Sequence, residues 1–148
     1  GWRLLRDRDS IKVQSPSDHV NDKAVVLEKD TPTNFNSYRY EVNLQNNFKK
    51  KNYNKNCEIV DWGKLKNATL KLRLWKQGDT FQPLGMKGHQ KISDFLINEK
   101  VDCIDKESQS VLTANGKIVW VCGKRISNWV KITPNTNQIA VLSRIMVQ

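Results

Sequence analysis

Nothing in these 148 residues approaches the run of roughly 20 apolar side chains that crosses a bilayer as a helix, so no membrane span is expected. The opening Gly1-Trp2-Arg3-Leu4-Leu5-Arg6, followed by Asp7, Arg8 and Asp9, has neither the apolar core nor the small-residue cleavage site of a signal peptide. Cysteine is scarce. Cys57, Cys103 and Cys122 are odd in number, far apart and form no CxxC pair, and only His19 and His89 are there to join them. A disulfide framework or a metal site is therefore not expected, and a reducing cytoplasm is the compartment that fits. Signatures of catalysis are missing too: there is no P-loop, no Ser-Gly-Gly-x-Asp-Ser loop for ATP, no GxSxG elbow and no HExxH. With no nucleophile–base arrangement either, neither a catalytic residue nor a cofactor is assigned to the chain.

Acid is the most unevenly missing. Residues 1–48 balance seven basic against seven acidic side chains, whereas residues 49–148 carry eighteen against eight and hold the whole net charge of +10. No Asp or Glu follows Glu107, but Lys117, Lys124, Arg125, Lys131 and Arg144 do. An isolated lysine serves solubility. A basic excess confined to one part of a chain points instead to a polyanionic partner, most simply nucleic acid. The length is that of one domain, and a hydrophobic content of 38% separates it from disordered chains.

The patterning is mostly β. Ser10–Val13 and the apolar Ala24–Glu28 are strand candidates, and Tyr38–Leu44 places Tyr38, Tyr40, Val42 and Leu44 on one face. Gln45–Asn56, dense in Asn and Lys, reads as an exposed loop. Cys57–Trp62 is another strand, with a turn near Gly63. Thr69–Trp75 alternates, Leu70, Leu72 and Leu74 pointing one way and Lys71, Arg73 and Trp75 the other. Gln90–Lys100 is the main helix, with Ile92, Phe95 and Leu96 on one face. Gln109–Ala114 and Lys117–Cys122 flank Asn115-Gly116, a pair that favours a type I′ hairpin. The second arm is apolar on both faces and is expected to be central. Gln138–Val147 is a terminal strand. The fold class is α+β and β-rich, with residues 1–56 supplying strands and a polar loop that lead into a domain over 57–148.

Single residues mostly have structural explanations. Asp79, in a Gly-Asp pair after a strand, is a turn residue before it is a catalytic acid. Asp94 and Glu99 are expected to pair with lysines along their helix. His89 is a solvated helix-start residue, and Cys122 belongs to the core. Gly85-Met86-Lys87-Gly88 reads as a plain turn, with phosphate binding ahead of the helix as the functional alternative. Trp75 either stacks on a base or covers a neighbouring element. Lys71, Arg73, Lys76, Lys87 and Lys91 are expected to line one edge if the chain folds back over Gly78–Gly88. Arg73 and Lys91 carry most weight there, the latter from the helix's first turn.

The order of motifs is more specific than any of its parts. Asp61-Trp62-Gly63-Lys64-Leu65 precedes Leu70-x-Leu72-Arg73 and Gly78-Asp79-x-Phe81-x-Pro83-Leu84-Gly85-Met86-x-Gly88. Lys91-Ile92-Ser93-Asp94-Phe95-Leu96, Lys100-Val101 and Val111-Leu112 come next, then Gly116-x-Ile118-Val119-Trp120-Val121 and Gly123-x-Arg125-Ile126. This string resembles the C-terminal domain of bacterial tRNA(Ile)-lysidine synthase over about residues 58–126.

The resemblance implies a mostly β, sandwich-like fold with one main helix, similar to a tRNA-binding module of the phenylalanyl-tRNA synthetase β subunit. Its implied role is to grip the acceptor stem of a tRNA(Ile) with a CAU anticodon. In the family, a separate N-terminal domain with the Ser-Gly-Gly-x-Asp-Ser loop uses ATP to adenylate carbon 2 of the wobble cytidine. Lysine then displaces AMP to leave lysidine, and the codon read changes from AUG to AUA. The chain, lacking that domain, is expected to be inactive alone. The residues expected to bind tRNA are Lys71, Arg73, Lys76, Lys87, Lys91, Lys100, Lys124 and Arg125. Gly78, Asp79, Phe81, Pro83, Gly85, Gly88, Asp94 and Phe95 form the structural motif. Two other classes stand beside it: a non-enzymatic RNA- or DNA-binding module, and a structural domain that orients a catalytic partner.

Overall fold

In the computed structural model, residues 23–45 and 55–147 are described. The strand expected at 10–13 and most of the loop expected at 45–56 lie outside them. In chain order the elements are β1 (Val25–Val26), β2 (Thr33–Phe35), β3 (Tyr38–Gln45), β4 (Cys57–Asp61), β5 (Leu70–Leu74), β6 (Thr80–Phe81) and β7 (Gln90–Lys91). Then come α1 (Ile92–Asn98), α2 (Cys103–Glu107), β8 (Ser110–Ala114), β9 (Lys117–Val121), β10 (Arg125–Ile126) and β11 (Ile139–Met146).

Two antiparallel sheets face each other. One has the order β1-β5-β8-β9-β10, the other β2-β3-β11-β4. Val25, Leu72, Leu112, Trp120 and Ile126 are partners in register and make one row across the first sheet. Paired residues share a face, and this row meets Phe35, Tyr40, Val42, Val60, Ala140 and Leu142 of the second sheet in one buried cluster. The expected β-rich, sandwich-like class with one main helix is therefore present. β11, far beyond β3 in sequence, pairs with it along its whole length, Ile139 opposite Gln45 through Met146 opposite Tyr38. The second sheet thus draws strands from both sides of residue 57.

Asn115 and Gly116 have φ of 49° and 89° and join β8 to β9, as their preference for left-handed backbone predicts. β9 lies inside the sheet between β8 and β10. Its register shifts: Leu112 pairs with Trp120, but Thr113 pairs with Ile118, leaving Val119 as an extra residue. This bulge turns Val119 and Trp120 both into the sandwich, while Ile118 and Val121 face outward.

On that outer face a second cluster forms. Ile92, Phe95 and Leu96 of α1 cover Val111, Ile118 and Val121, together with Phe81 from the β6–β7 ribbon. Phe81 and Phe95 meet edge to face, with centroids 5.1 Å apart at 87°. α1 is shorter than the expected 90–100. Gln90 and Lys91 are consumed as β7 by pairing with Phe81 and Thr80, and Lys91 becomes an extended N-cap rather than a first-turn residue. At the other end Lys100 takes φ 59°, and the Lys100 and Val101 amides donate to the Ile97 and Leu96 carbonyls. That is a Schellman ending with lysine where glycine is usual.

Arg144 closes one end of the sandwich. Its register partner is Tyr40, so it shares the inward face with Leu142. The guanidinium lies 3.7 Å from the Tyr38 ring centroid, donates from Nε to Asn56 Oδ1 at 2.8 Å, and donates from Nη1 to Tyr40 Oη at 3.3 Å. It also lies over Gly123 in the turn between β9 and β10, where a Cβ would collide with it; with φ 76°, that position takes glycine for both reasons.

Beneath Arg144, burial pushes the Cys122 thiol up from 9.0 to about 12, against the pull of the guanidinium. Burial likewise drives the Tyr40 hydroxyl above its ordinary range. Both groups keep their protons in the folded chain after the unfolded chain has lost them. Stability from Cys122 is therefore complete below about pH 9 and falls as pH rises toward 12, by about 1.4 kcal/mol per pH unit, and Tyr40 adds to the fall only above about pH 10. Urea unfolding at pH 8 and pH 10.5 should show this fall, and Cys122→Ala should flatten it. An equal stability at both pH values would contradict the burial argument.

Candidate nucleic-acid interface

The Lys76–Asp79 turn decides what the basic residues near it can do. Arg73 and Asp79 form a bidentate pair, Nη1 to Oδ2 at 2.8 Å and Nη2 to Oδ1 at 3.0 Å, with side chains only 18% and 9% exposed. Arg73 Nη1 also donates to the Leu74 carbonyl, and the Lys76 amide donates to Asp79 Oδ2. The Asp79 carbonyl in turn accepts from the Ile92 amide at the start of α1. Gly78, at φ 94°, lets the chain reverse so that the carboxylate reaches back to β5.

Arg73 therefore lies beside Lys71 as expected, but with its guanidinium engaged within the fold. Alternation places it on the polar side, but its fork is used to tie β5 to the turn and, through Asp79, to α1. The turn role expected for Asp79 is present, with the ion pair added.

The other basic residues fall into two groups. Lys71, Lys76, Lys87, Lys91 and Lys100 are exposed. Among the described residues the ion pairs are Arg73–Asp79 and Lys55–Glu99, so these five lysines have no carboxylate partner there. Lys124 and Arg125 are half-buried. Arg125 stands 5.6 Å from the Phe95 ring centroid, and its strand partner Val121 pairs on to Val111 and Arg73. Arg73 and Arg125 thus flank α1 in one row, roughly 14 Å apart at the usual strand spacing.

The structural-motif residues have definite places. Pro83 is buried and bridges to Ser127, Gly85 and Gly88 turn the backbone at φ 82° and 76°, and Asp94 is exposed in the first turn of α1. Because β7 separates Gly88 from the helix, the glycine turn does not open directly onto an N-terminus, and the phosphate alternative loses its geometry. Glu99 pairs with Lys55 at 3.7 Å rather than within its own helix. Trp75 covers α2: its Nε1 donates to the Lys106 carbonyl at 2.6 Å, with Lys106 Nζ 5.6 Å from the ring centroid. Asp61 bonds the Gly63 amide and the Thr136 hydroxyl, so the Asp-Trp-Gly motif caps the short 3-10 turn at Trp62–Lys64.

Among the described residues no group of three or more His, Cys, Asp or Glu is placed to hold a metal ion. No helix there is long and apolar enough to cross a membrane. One grouping escaped the sequence: Lys117 and Trp129, twelve positions apart, meet with Nζ 4.5 Å from the ring centroid. No spacing rule brings a hairpin residue to a tryptophan beyond the next strand.

A family described as the TilS substrate C-terminal domain matches residues 70–143, from the first residue of β5 into β11. The chain is 32% identical over 146 residues to tRNA(Ile)-lysidine synthase of Parabacteroides distasonis, covering 95% of this chain and 32% of that protein. It is 29% identical over 144 residues to the enzyme of the same name from Bacteroides thetaiotaomicron, with 95% and 30% covered. It therefore spans about a third of the length of the curated relatives it matches. A solved crystal structure of a TilS C-terminal domain superposes with a TM-score of 0.66 at 18% identity, covering 84% of this chain and 92% of that one, a likeness of fold. With the ordered motifs, the matched strands and the shared architecture together, the chain belongs to the TilS substrate C-terminal domain family.

Proposed function

We propose that this chain is the tRNA-binding C-terminal part of a tRNA(Ile)-lysidine synthase, and that it grips the acceptor stem of a CAU-anticodon tRNA(Ile). The family match over residues 70–143 carries the reading. The supporting chemistry is the set of exposed lysines without carboxylate partners. An A-form stem hides its base edges in a deep, narrow major groove, so recognition by backbone charge and shape is what lysines can supply. ATP, lysine and the chemistry at the wobble cytidine belong in this reading to an N-terminal domain of the larger enzyme, in the cytoplasm. This chain alone should release no AMP and form no lysidine when given ATP, lysine and unmodified tRNA; either product would refute that division of labour.

The binding test is a titration against tRNA at several salt concentrations. Log K should fall with log salt by about 0.9 per phosphate neutralised. Lys71→Glu and Lys91→Glu should each weaken binding and make that slope shallower by about one contact. Lys29→Glu, exposed but in the charge-balanced segment, should change little. Equal damage from all three would reduce the effect to net charge. No affinity at low salt would favour a structural domain that orients its catalytic partner.

A further inference from the structure

Between the β6–β7 ribbon, the β8–β9 hairpin and the segment after β10 lies a cleft of about 400 Å³. Phe81, Ile118 and Trp129 line it together with Asp79, Lys117 and His89. At the register shift in β9, the Ile118 carbonyl accepts from Ser127 Oγ at 2.8 Å and from Trp129 Nε1 at 2.7 Å. The second bond fixes the half-buried indole in the wall, and Lys117 Nζ sits 4.5 Å from its ring centroid. Gly78 and Gly116 also line the cleft, with open space where a Cβ would stand, so the backbone there can be approached closely. Asp79 is the one acid in the lining, and its carboxylate is taken up by Arg73 and the Lys76 amide. The charge left facing the space is that of Lys117.

We infer that this cleft takes one unpaired nucleotide of an RNA, its base against Trp129 and its phosphate at Lys117. The inference rests on the tRNA-binding reading above and adds to it a site distinct from the lysines that follow a duplex backbone. A volume of this order is that of a small-ligand pocket rather than a duplex groove. An aromatic ring fixed in the wall, with an exposed lysine over it that exchanges the ring for the phosphate as the base stacks, is what an unstacked nucleotide requires, and a base stacked within a helix cannot reach it.

The test compares a blunt RNA duplex, the same duplex with a short single-stranded 3′ extension, and free adenosine monophosphate. The extension should tighten binding about tenfold, on the scale of one stacked base. Trp129→Ala and Lys117→Ala should abolish that gain and leave the blunt duplex bound, and Trp129→Phe should keep most of it. Should Trp129→Ala fail to fold, Trp129→Phe and the exposed Lys117→Ala decide. No gain from the extension while the blunt duplex binds overturns the cleft proposal and leaves the tRNA reading standing. A gain that survives Trp129→Ala, or the monophosphate binding as tightly as the extended duplex, overturns it as well. Failure of both RNAs to bind removes the tRNA reading and this proposal with it.

Discussion

Trp120→Ala is expected to cost about 3–5 kcal/mol of folding stability. Trp120 is 1% exposed, lies in the middle of the row from Val25 to Ile126, and meets Tyr40 of the opposite sheet edge to face at 6.1 Å. Removing the indole opens a cavity between two sheets that are each tied by long-range pairing and have little freedom to collapse into it. One contribution runs the other way: Trp120 Nε1 is buried without a hydrogen-bond partner. An unsatisfied buried donor costs roughly 1–3 kcal/mol, and its loss offsets part of the damage. Trp120→Phe should therefore be mild, below about 1.5 kcal/mol, because it fills most of the space and deletes the orphan donor. Urea unfolding of both variants checks the pair of values. A loss under about 1 kcal/mol for the alanine variant would place Trp120 outside the core.

Asp79→Ala is expected to cost about 3 kcal/mol, a large effect for a turn residue. It leaves the Arg73 guanidinium, 18% exposed, with only the Leu74 carbonyl, and it orphans the Lys76 amide. Arg73→Met should be milder, since methionine retains the packing of the stem while Asp79 keeps its bond to that amide. The partial exposure of the pair weakens its attraction relative to a fully buried one. A double-mutant cycle should still give a coupling near 2 kcal/mol, above the 0.2–1 kcal/mol of surface pairs. A coupling within 0.5 kcal/mol of zero would mean that the bidentate geometry contributes nothing beyond a surface contact. Since Asp79 also accepts from the Ile92 amide through its backbone, loosening of α1 should accompany the loss. Faster hydrogen exchange at Ile92–Leu96 than at β11 would report it.

What could be read without the structure were local patterns. The alternation of Tyr38–Leu44, the three-residue apolar face of α1 and the Asn115-Gly116 turn each depend on side-chain period or on left-handed backbone preference within a few residues. Several short elements left no such trace. β2, β10, α2 and the β6–β7 ribbon are too short for a period to develop, and they exist because neighbours supply partners. The start of α1 differs from the periodic reading for the same reason: Gln90 and Lys91 suit a helix, but the pairing of Lys91 with Thr80 holds them extended. At the candidate site, Lys71 and Arg73 are equivalent by alternation. Only the return of Asp79 to β5 separates a free lysine from a committed arginine.

The sequence by itself determined the β-rich class, the hairpin, the apolar face of the main helix and the family, because these reside in residue order, short periods and turn chemistry. The confinement of the whole net charge to residues 49–148 was likewise settled there. The tertiary structure alone decided which cations remain available, since that depends on carboxylates and rings brought together by folding. It also decided the bulge at Val119, which sends two successive residues into one core, and the meeting of Lys117 with Trp129. Those outcomes follow from strand register, and register is set by pairing among strands far apart in the chain rather than by the preferences of the residues that carry it.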